Sequence, residues 1–251
     1  MSIRIDFHIH LGRGEKNCQD PNQRGLTPEW LIEVMEESDV DRAVAFPVLY
    51  EDYRAANREI RQYVDRYPDK IIGFGRLKAT PDALEIARDA LENLRLKGLK
   101  IHHGEIKDPE DPLIHAVFRW LDDHPVPVIL DCMYDRVNVL AKLVGRYRFP
   151  MVLAHMGGVW YTEHIQKAIE VAQQHPHVYL ETSSVLHYRM IEEAVRRIGS
   201  RRILFGTDGP IIHMKPMIEI INILHVAEED KANILGLNAA RLLGLPENLT
   251  V

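Results

Sequence analysis

Residues 3–10 read IRIDFHIH, and the alternation in this stretch decides how the rest of the chain is read. In a β-strand successive side chains point to opposite faces, so Ile3, Ile5, Phe7 and Ile9 are expected on one face and Arg4, Asp6, His8 and His10 on the other. Taken alone, such alternation marks a half-buried strand with its polar side in water. Whether that side meets water here depends on what surrounds the strand.

Seven further short apolar runs follow: DRAVAFPV (41–48), KIIGFGRL (70–77), GLKIHH (98–103), VPVILDCM (126–133), FPMVLAHMGG (149–158), HVYLETSS (177–184) and RRILFGTDGP (201–210). Amphipathic segments with helical spacing lie between them, among them TPEWLIEVMEES, DALEIARDALENL, DPLIHAVFRWLDD and RMIEEAVRRI. Strands alternating with helices predict parallel strands joined by crossovers, and eight strands predict a closed α/β barrel, a single (β/α)8 TIM barrel over residues 1–251. In that setting the apolar face of each strand is expected to pack outward on the helices. The other face points into the barrel, so the polar face of the first strand leaves water. His8 and His10 then fall at the strand's C-terminal end, where barrel active sites lie. Several polar groups buried together are costly unless they are hydrogen-bonded or bind a metal.

The bulk properties restrict the function. A formal charge of −6 speaks against broad binding of nucleic acid or an anionic membrane surface. The two cysteines, Cys18 and Cys132, have neither metal-ligand spacing nor the density of a disulfide framework, which suits a reducing, cytoplasmic setting. There is no apolar run long enough to span a bilayer. The expected partner is a small-molecule substrate, with a homodimer as the guess for assembly.

Ligand-type side chains recur at the strand ends: Asp131 after the fifth strand, His155 after the sixth, Asp208 after the eighth, and Lys100 with His102 on one face of the fourth, beside His103. His8, His10, Asp131, His155 and Asp208 are therefore the candidate metal ligands. A mixed nitrogen and oxygen set suits Zn²⁺ first and also Mn²⁺, Fe²⁺ or Co²⁺, with no organic cofactor. Metal lowers the pKa of bound water, and Asp208 is the natural proton acceptor; His155 is a second catalytic candidate, by binding metal or by hydrogen-bonding a developing oxyanion. Arg13, Lys100, His102, Tyr134, Arg136 and Trp160 are candidate substrate contacts, since an arginine can grip a carboxylate with two parallel hydrogen bonds. His115, His124, His175, His177, His213 and His225 are read as structural or surface residues.

DFHIH, LAHMGG, FGTDGP and the closing EEDKANILGLNAARLLGL resemble the amidohydrolase superfamily over essentially the whole chain. The chain is most similar to the amidohydrolase-2 branch, which includes aminocarboxymuconate-semialdehyde decarboxylase, resorcylate-type decarboxylases and pyrone-dicarboxylate lactonase. The resemblance implies that His8 and His10 are the first two metal ligands, that Asp208 is the strand-eight ligand and proton shuttle, and that His155 is the strand-six histidine that meets substrate and water. The branch commonly carries a histidine ligand at the end of strand five, where this chain has VILDCM; Asp131 is expected to replace it, or metal to be weakly held or absent, as in the lactonase. The leading expectation is a metal-dependent hydrolase of an amide, ester or lactone. The alternatives are a non-oxidative decarboxylase of a carboxylated aromatic or muconate-type substrate on the same site, and a non-catalytic metal-binding barrel.

Overall fold

The computed structural model describes residues 2–14, 27–106, 108, 110–132, 136–159 and 161–247. All eight apolar runs form parallel strands: β1 (Ile5–Leu11), β2 (Arg42–Pro47), β3 (Ile71–Gly73) with β4 (Gly75–Arg76), β5 (Leu99–Ile101), β6 (Val128–Leu130), β7 (Met151–Leu153), β8 (Val178–Glu181) and β9 (Ile203–Leu204). β3 and β4 are one stave broken at Phe74. Before the break β3 pairs with β2, after it β4 pairs with β5, and the N–H groups of Phe74 and Gly75 turn to opposite neighbours, Ala45 O and Gly98 O, each at 2.9 Å. The ring closes between the first stave and the last. Phe7 N donates to Phe205 O at 2.8 Å, Asp208 N to His8 O at 3.1 Å and His10 N to Gly209 O at 2.9 Å.

Helices α1 (Pro28–Glu37), α2 (Tyr53–Arg66), α3 (Ala83–Arg88), α4 (Pro112–Asp123), α5 (Arg136–Val144), α6 (Thr162–Gln174), α7 (Tyr188–Ile198), α8 (Met214–Asn222), α9 (Glu228–Ala232) and α10 (Asn238–Leu243) follow the strands. Their starts are written in the sequence. Thr27 caps α1, Asp52 caps α2 and Asp111 caps α4 through side-chain oxygens that accept free N–H groups, and proline occupies the first turn of α1 and α4.

The alternation expected for residues 3–9 holds only in part. Ile9 and Leu11 pack outward with the helix-facing core. Ile3, Ile5 and Phe7 instead join Val44, Ile72, Phe74, Ile129, Val152 and Leu204, a set whose register matches that of Lys100 and Val152 on the inner face. The cause is a register shift between Asp6 and Ile9, which breaks strict alternation as a bulge does. β1 thus turns apolar side chains inward at the bottom of the barrel and histidines inward at the top. Asp6 falls at the shift, wholly buried, and its carboxylate accepts from Thr207 Oγ1 at 2.5 Å and Thr207 N at 3.2 Å. Ala239 and Ala240 of α10 close the floor against the inner cluster. The helical turn just before α10 approaches closely at Gly236, where a Cβ would lie 2.0 Å from Ile3 O.

Candidate functional site

His8 and His10 project from the upper half of β1 toward Asp208, four residues beyond β9. Asp208 Oδ1 lies 3.0 Å from His10 Nε2 and 3.5 Å from His8 Nε2, and Oδ2 accepts from Ser184 Oγ at 2.9 Å. The three residues form one group whose donor atoms could share a metal ion. Behind His8 stands Glu181, at the end of β8. Its Oε2 is 2.8 Å from His8 Nδ1 and also accepts from Ser183 Oγ at 2.7 Å. This contact keeps the His8 proton on Nδ1 and aims the Nε2 lone pair into the site, the second-layer arrangement that metal-binding histidines use. Gly206 makes room for it: a Cβ there would lie 2.0 Å from Glu181 Oε1 and 3.0 Å from His8 Cβ.

Electrostatics favour ligand-ready forms. Burial lowers the pKa of both His8 and His10 below the usual imidazole range, so both are neutral at pH 7. Burial alone would raise the Asp208 carboxyl, but the hydrogen bond it shares with His10 and the positive charge of His155 outweigh it and hold the group well below its ordinary range. Two neutral imidazoles and an ionised carboxylate converging within hydrogen-bond distances fit a divalent cation. The backbone is strained here as well: His155, Met156, Ser184 and Asp208, at the tops of three successive staves, have φ between 49° and 68°. Such values persist in non-glycine residues where the surroundings enforce them, commonly at functional sites.

A family model described as Amidohydrolase matches residues 5–245. The chain belongs to the amidohydrolase family. No curated protein matches its sequence. Among solved structures it is similar to 2,6-dihydroxybenzoate decarboxylase from Rhizobium, at 14% identity and a TM-score of 0.78 over 97% of this chain and 99% of that one. A zinc-bound amidohydrolase from Burkholderia multivorans matches at 16% identity, TM-score 0.81, over 97% and 100%. A dihydroxybenzoic acid decarboxylase from Polaromonas sp. JS666, bound to manganese and the inhibitor 2-nitroresorcinol, matches at 17% identity, TM-score 0.74, over the full length of both chains. These likenesses establish the TIM-barrel fold.

In this amidohydrolase His155 is buried beside the triad. Its Nδ1 donates to Ser183 O at 3.0 Å, and its Nε2 faces Asp131 Oδ2 at 3.6 Å. Burial disfavours its charge, yet the contact with Asp131 and the field of Asp208 prevail and raise it to about 9. Asp131 itself stands apart from His8, His10 and Asp208 and groups instead with His102 and His103. Its Oδ1 is 2.8 Å from His103 Nδ1, and its Oδ2 is 3.8 Å from both His102 Nε2 and Lys100 Nζ. The structure therefore gathers His8, His10 and Asp208 at one point, with His155 against them and Asp131 one layer away.

The substrate candidates divide. Lys100 and His102 reach the cluster; burial lowers both pKa values, that of His102 to about 3. Arg136 lines a narrow crevice with His102, His103 and Asp131. Arg13 turns away: its side chain is 89% exposed and sits 3.6 Å from Glu59, in an open surface pocket of about 590 Å³ on α2. Tyr134 and Trp160, like Cys18, lie outside the described residues. Of the histidines read as structural or surface residues, His115 meets Tyr147, His124 meets Trp120 O, His177 meets Val144 O and His213 caps α8, while His225 is exposed.

Two groups have places that the sequence does not assign. Glu181 follows the seventh apolar run, which marks it as a candidate facing the substrate side but not as the partner of His8. Arg76 is the other. It faces inward in register with Lys100, is 1% exposed, and donates from Nε to Glu105 Oε1 and from Nη1 to Pro47 O, both at 2.9 Å. No hydrogen-bond partner for Nη2 is found among the described residues.

Proposed function

We propose that this amidohydrolase is a metal-dependent carboxy-lyase that removes CO₂, without oxidation, from a small carboxylated aromatic or muconate-type substrate. The observation that carries the reading is the placement of His155, buried beside the ligand triad with its Nε2 3.6 Å from Asp131 Oδ2, a carboxylate that favours the charged imidazole. Decarboxylation breaks the bond to the carboxylate carbon, leaves the electron pair on the substrate, releases CO₂ and consumes one proton. A charged imidazole with both N–H groups positioned is equipped to deliver that proton from Nε2. Asp208, held ionised by its neighbours, is a better ligand than base. His8 Nε2, His10 Nε2 and Asp208 Oδ1 would hold a divalent ion, which supplies a Lewis acid for a substrate oxygen. Lys100 and Arg76 add positive charge on the inner face, which suits an anionic substrate. The similar structures named as decarboxylases of hydroxylated benzoic acids support the same class.

The test is incubation of zinc- or manganese-loaded protein with hydroxylated benzoates such as 2,6-dihydroxybenzoate in D₂O. Release of CO₂ with one deuterium at the vacated carbon is expected, and its loss in His155→Gln. A second reading is hydrolysis of an ester, amide or lactone with Asp208 shuttling the proton. It is favoured by Asp131 standing where the decarboxylase pattern has a histidine. Turnover of a lactone or ester panel with no CO₂ from any benzoate would overturn the first reading for the second.

A further inference from the structure

Lys100 rises from β5 with no exposed surface. Its Nζ lies 3.3 Å from His8 Nε2, 3.8 Å from Asp131 Oδ2 and 5.0 Å from the centre of the Phe46 ring. An ammonium has only protons to offer. With the His8 proton committed to Glu181 through Nδ1, what Nζ meets on His8 is the Nε2 lone pair. That is the lone pair the metal reading assigns to the ion. One lone pair cannot serve an N–H donor and a metal ion together, and two like charges side by side in a buried pocket repel.

Asp131 offers the ammonium another place. One of its oxygens is engaged by His103, while the other faces Lys100, His102 and His155. It does not share the point where His8, His10 and Asp208 converge. We propose that Lys100 is a resident cation competing with the metal ion for His8, and that Asp131 is the berth that holds the ammonium when the ion is bound rather than a metal ligand. The proposal rests on the metal-dependent reading above. It gives the departure at strand five a physical meaning: the carboxylate serves a lysine, and the affinity of the triad for metal is set below what its three ligands alone would give.

The experiment is Zn²⁺ titration of the full chain against a chromophoric chelator, for wild type, Lys100→Met, Lys100→Gln, Lys100→Arg, Asp131→Asn and the Lys100→Met/Asp131→Asn pair. Lys100→Met and Lys100→Gln should bind at least about tenfold tighter, while Lys100→Arg, which keeps the charge, should bind no tighter than wild type. Asp131→Asn should weaken binding about tenfold when Lys100 is present and less than about threefold in the Lys100→Met background. Equal or weaker binding by both neutral variants overturns the competition. An equal loss from Asp131→Asn in both backgrounds makes Asp131 a ligand and overturns its role as berth. If wild type binds Zn²⁺ and His8→Ala does not, while Lys100→Met matches wild type, this proposal fails and the metal reading stands. If no variant binds Zn²⁺ or Mn²⁺, both fail together.

Discussion

The two ends of the barrel interior are equally buried and held by opposite physics. The floor is filled by Ile5, Phe7, Phe74, Ile129, Val152 and Leu204 and closed by Ala239 and Ala240. The top is filled by His8, Lys100, Glu181 and Ser183, none of them exposed, with Asp131, His155 and Asp208 nearly so. Apolar contacts on the floor are non-directional and add up by area. Each polar group at the top needs a partner at a set distance, or it costs more than it contributes. β1 serves both ends because its register shift lets Phe7 face the floor and His8 the site. Stability and chemistry are thereby separated along the barrel axis, and mutations should separate them too.

Asp208→Asn should cut turnover by about 10²–10⁴-fold while leaving the melting temperature nearly unchanged; steady-state kinetics beside a thermal melt checks it, and a collapsed melt would break the division. Phe7→Ala is the mirror image. It should cost about 3–5 kcal/mol by urea unfolding, with the turnover of the folded fraction preserved.

The buried His155–Asp131 pair gives the top its own contribution to stability. Because the folded pKa of His155 is raised to about 9, above its unfolded value, this contribution is fully present below the unfolded pKa and is lost as pH rises through about 9. In metal-free protein its size is on the order of 3 kcal/mol. Urea midpoints should fall between neutral pH and pH 10, and His155→Gln should flatten that fall; identical pH curves for the two proteins would detach the pair from stability.

Glu181→Gln should weaken zinc binding about 10–100-fold by loosening the orientation of His8, measured by chelator competition. A smaller effect than that of a distant carboxylate would show that His8 is aligned by Ser183 instead. The smallest change is expected at Arg13, outside both regions. Arg13→Ala should shift stability by no more than about 0.5 kcal/mol and leave KM unaltered; a raised KM would extend the site to the outer rim.

Much of the site was legible because it obeys short-range rules. His8, His10 and Asp208 sit at strand ends recognisable from apolar runs, and the structure brings them together. Glu181 obeys the same rule, but nothing local ties it to His8, 173 positions away. Arg76 was hidden within KIIGFGRL, where an arginine at a strand end reads as a surface charge. Its burial depends on Pro47 at the end of β2 and Glu105 in the turn after β5 arriving from elsewhere in the ring. Asp131 was visible as a carboxylate in the right position, while its company of Lys100, His102 and His103 was not.

The sequence by itself determined the eight staves, the helices between them and the end of the barrel at which the chemistry lies, since periodicity of two or 3.6 residues and capping side chains act within a few positions of the backbone. Only the tertiary structure decided that β1 shifts register and turns Phe7 inward, that Glu181 fixes the His8 proton, that Arg13 faces Glu59, and that Lys100 lies between His8 and Asp131. Those outcomes depend on closing the ring. Ring closure sets which atoms from distant staves come within 3–4 Å, and at that range hydrogen bonds and charges choose their partners irrespective of distance along the chain.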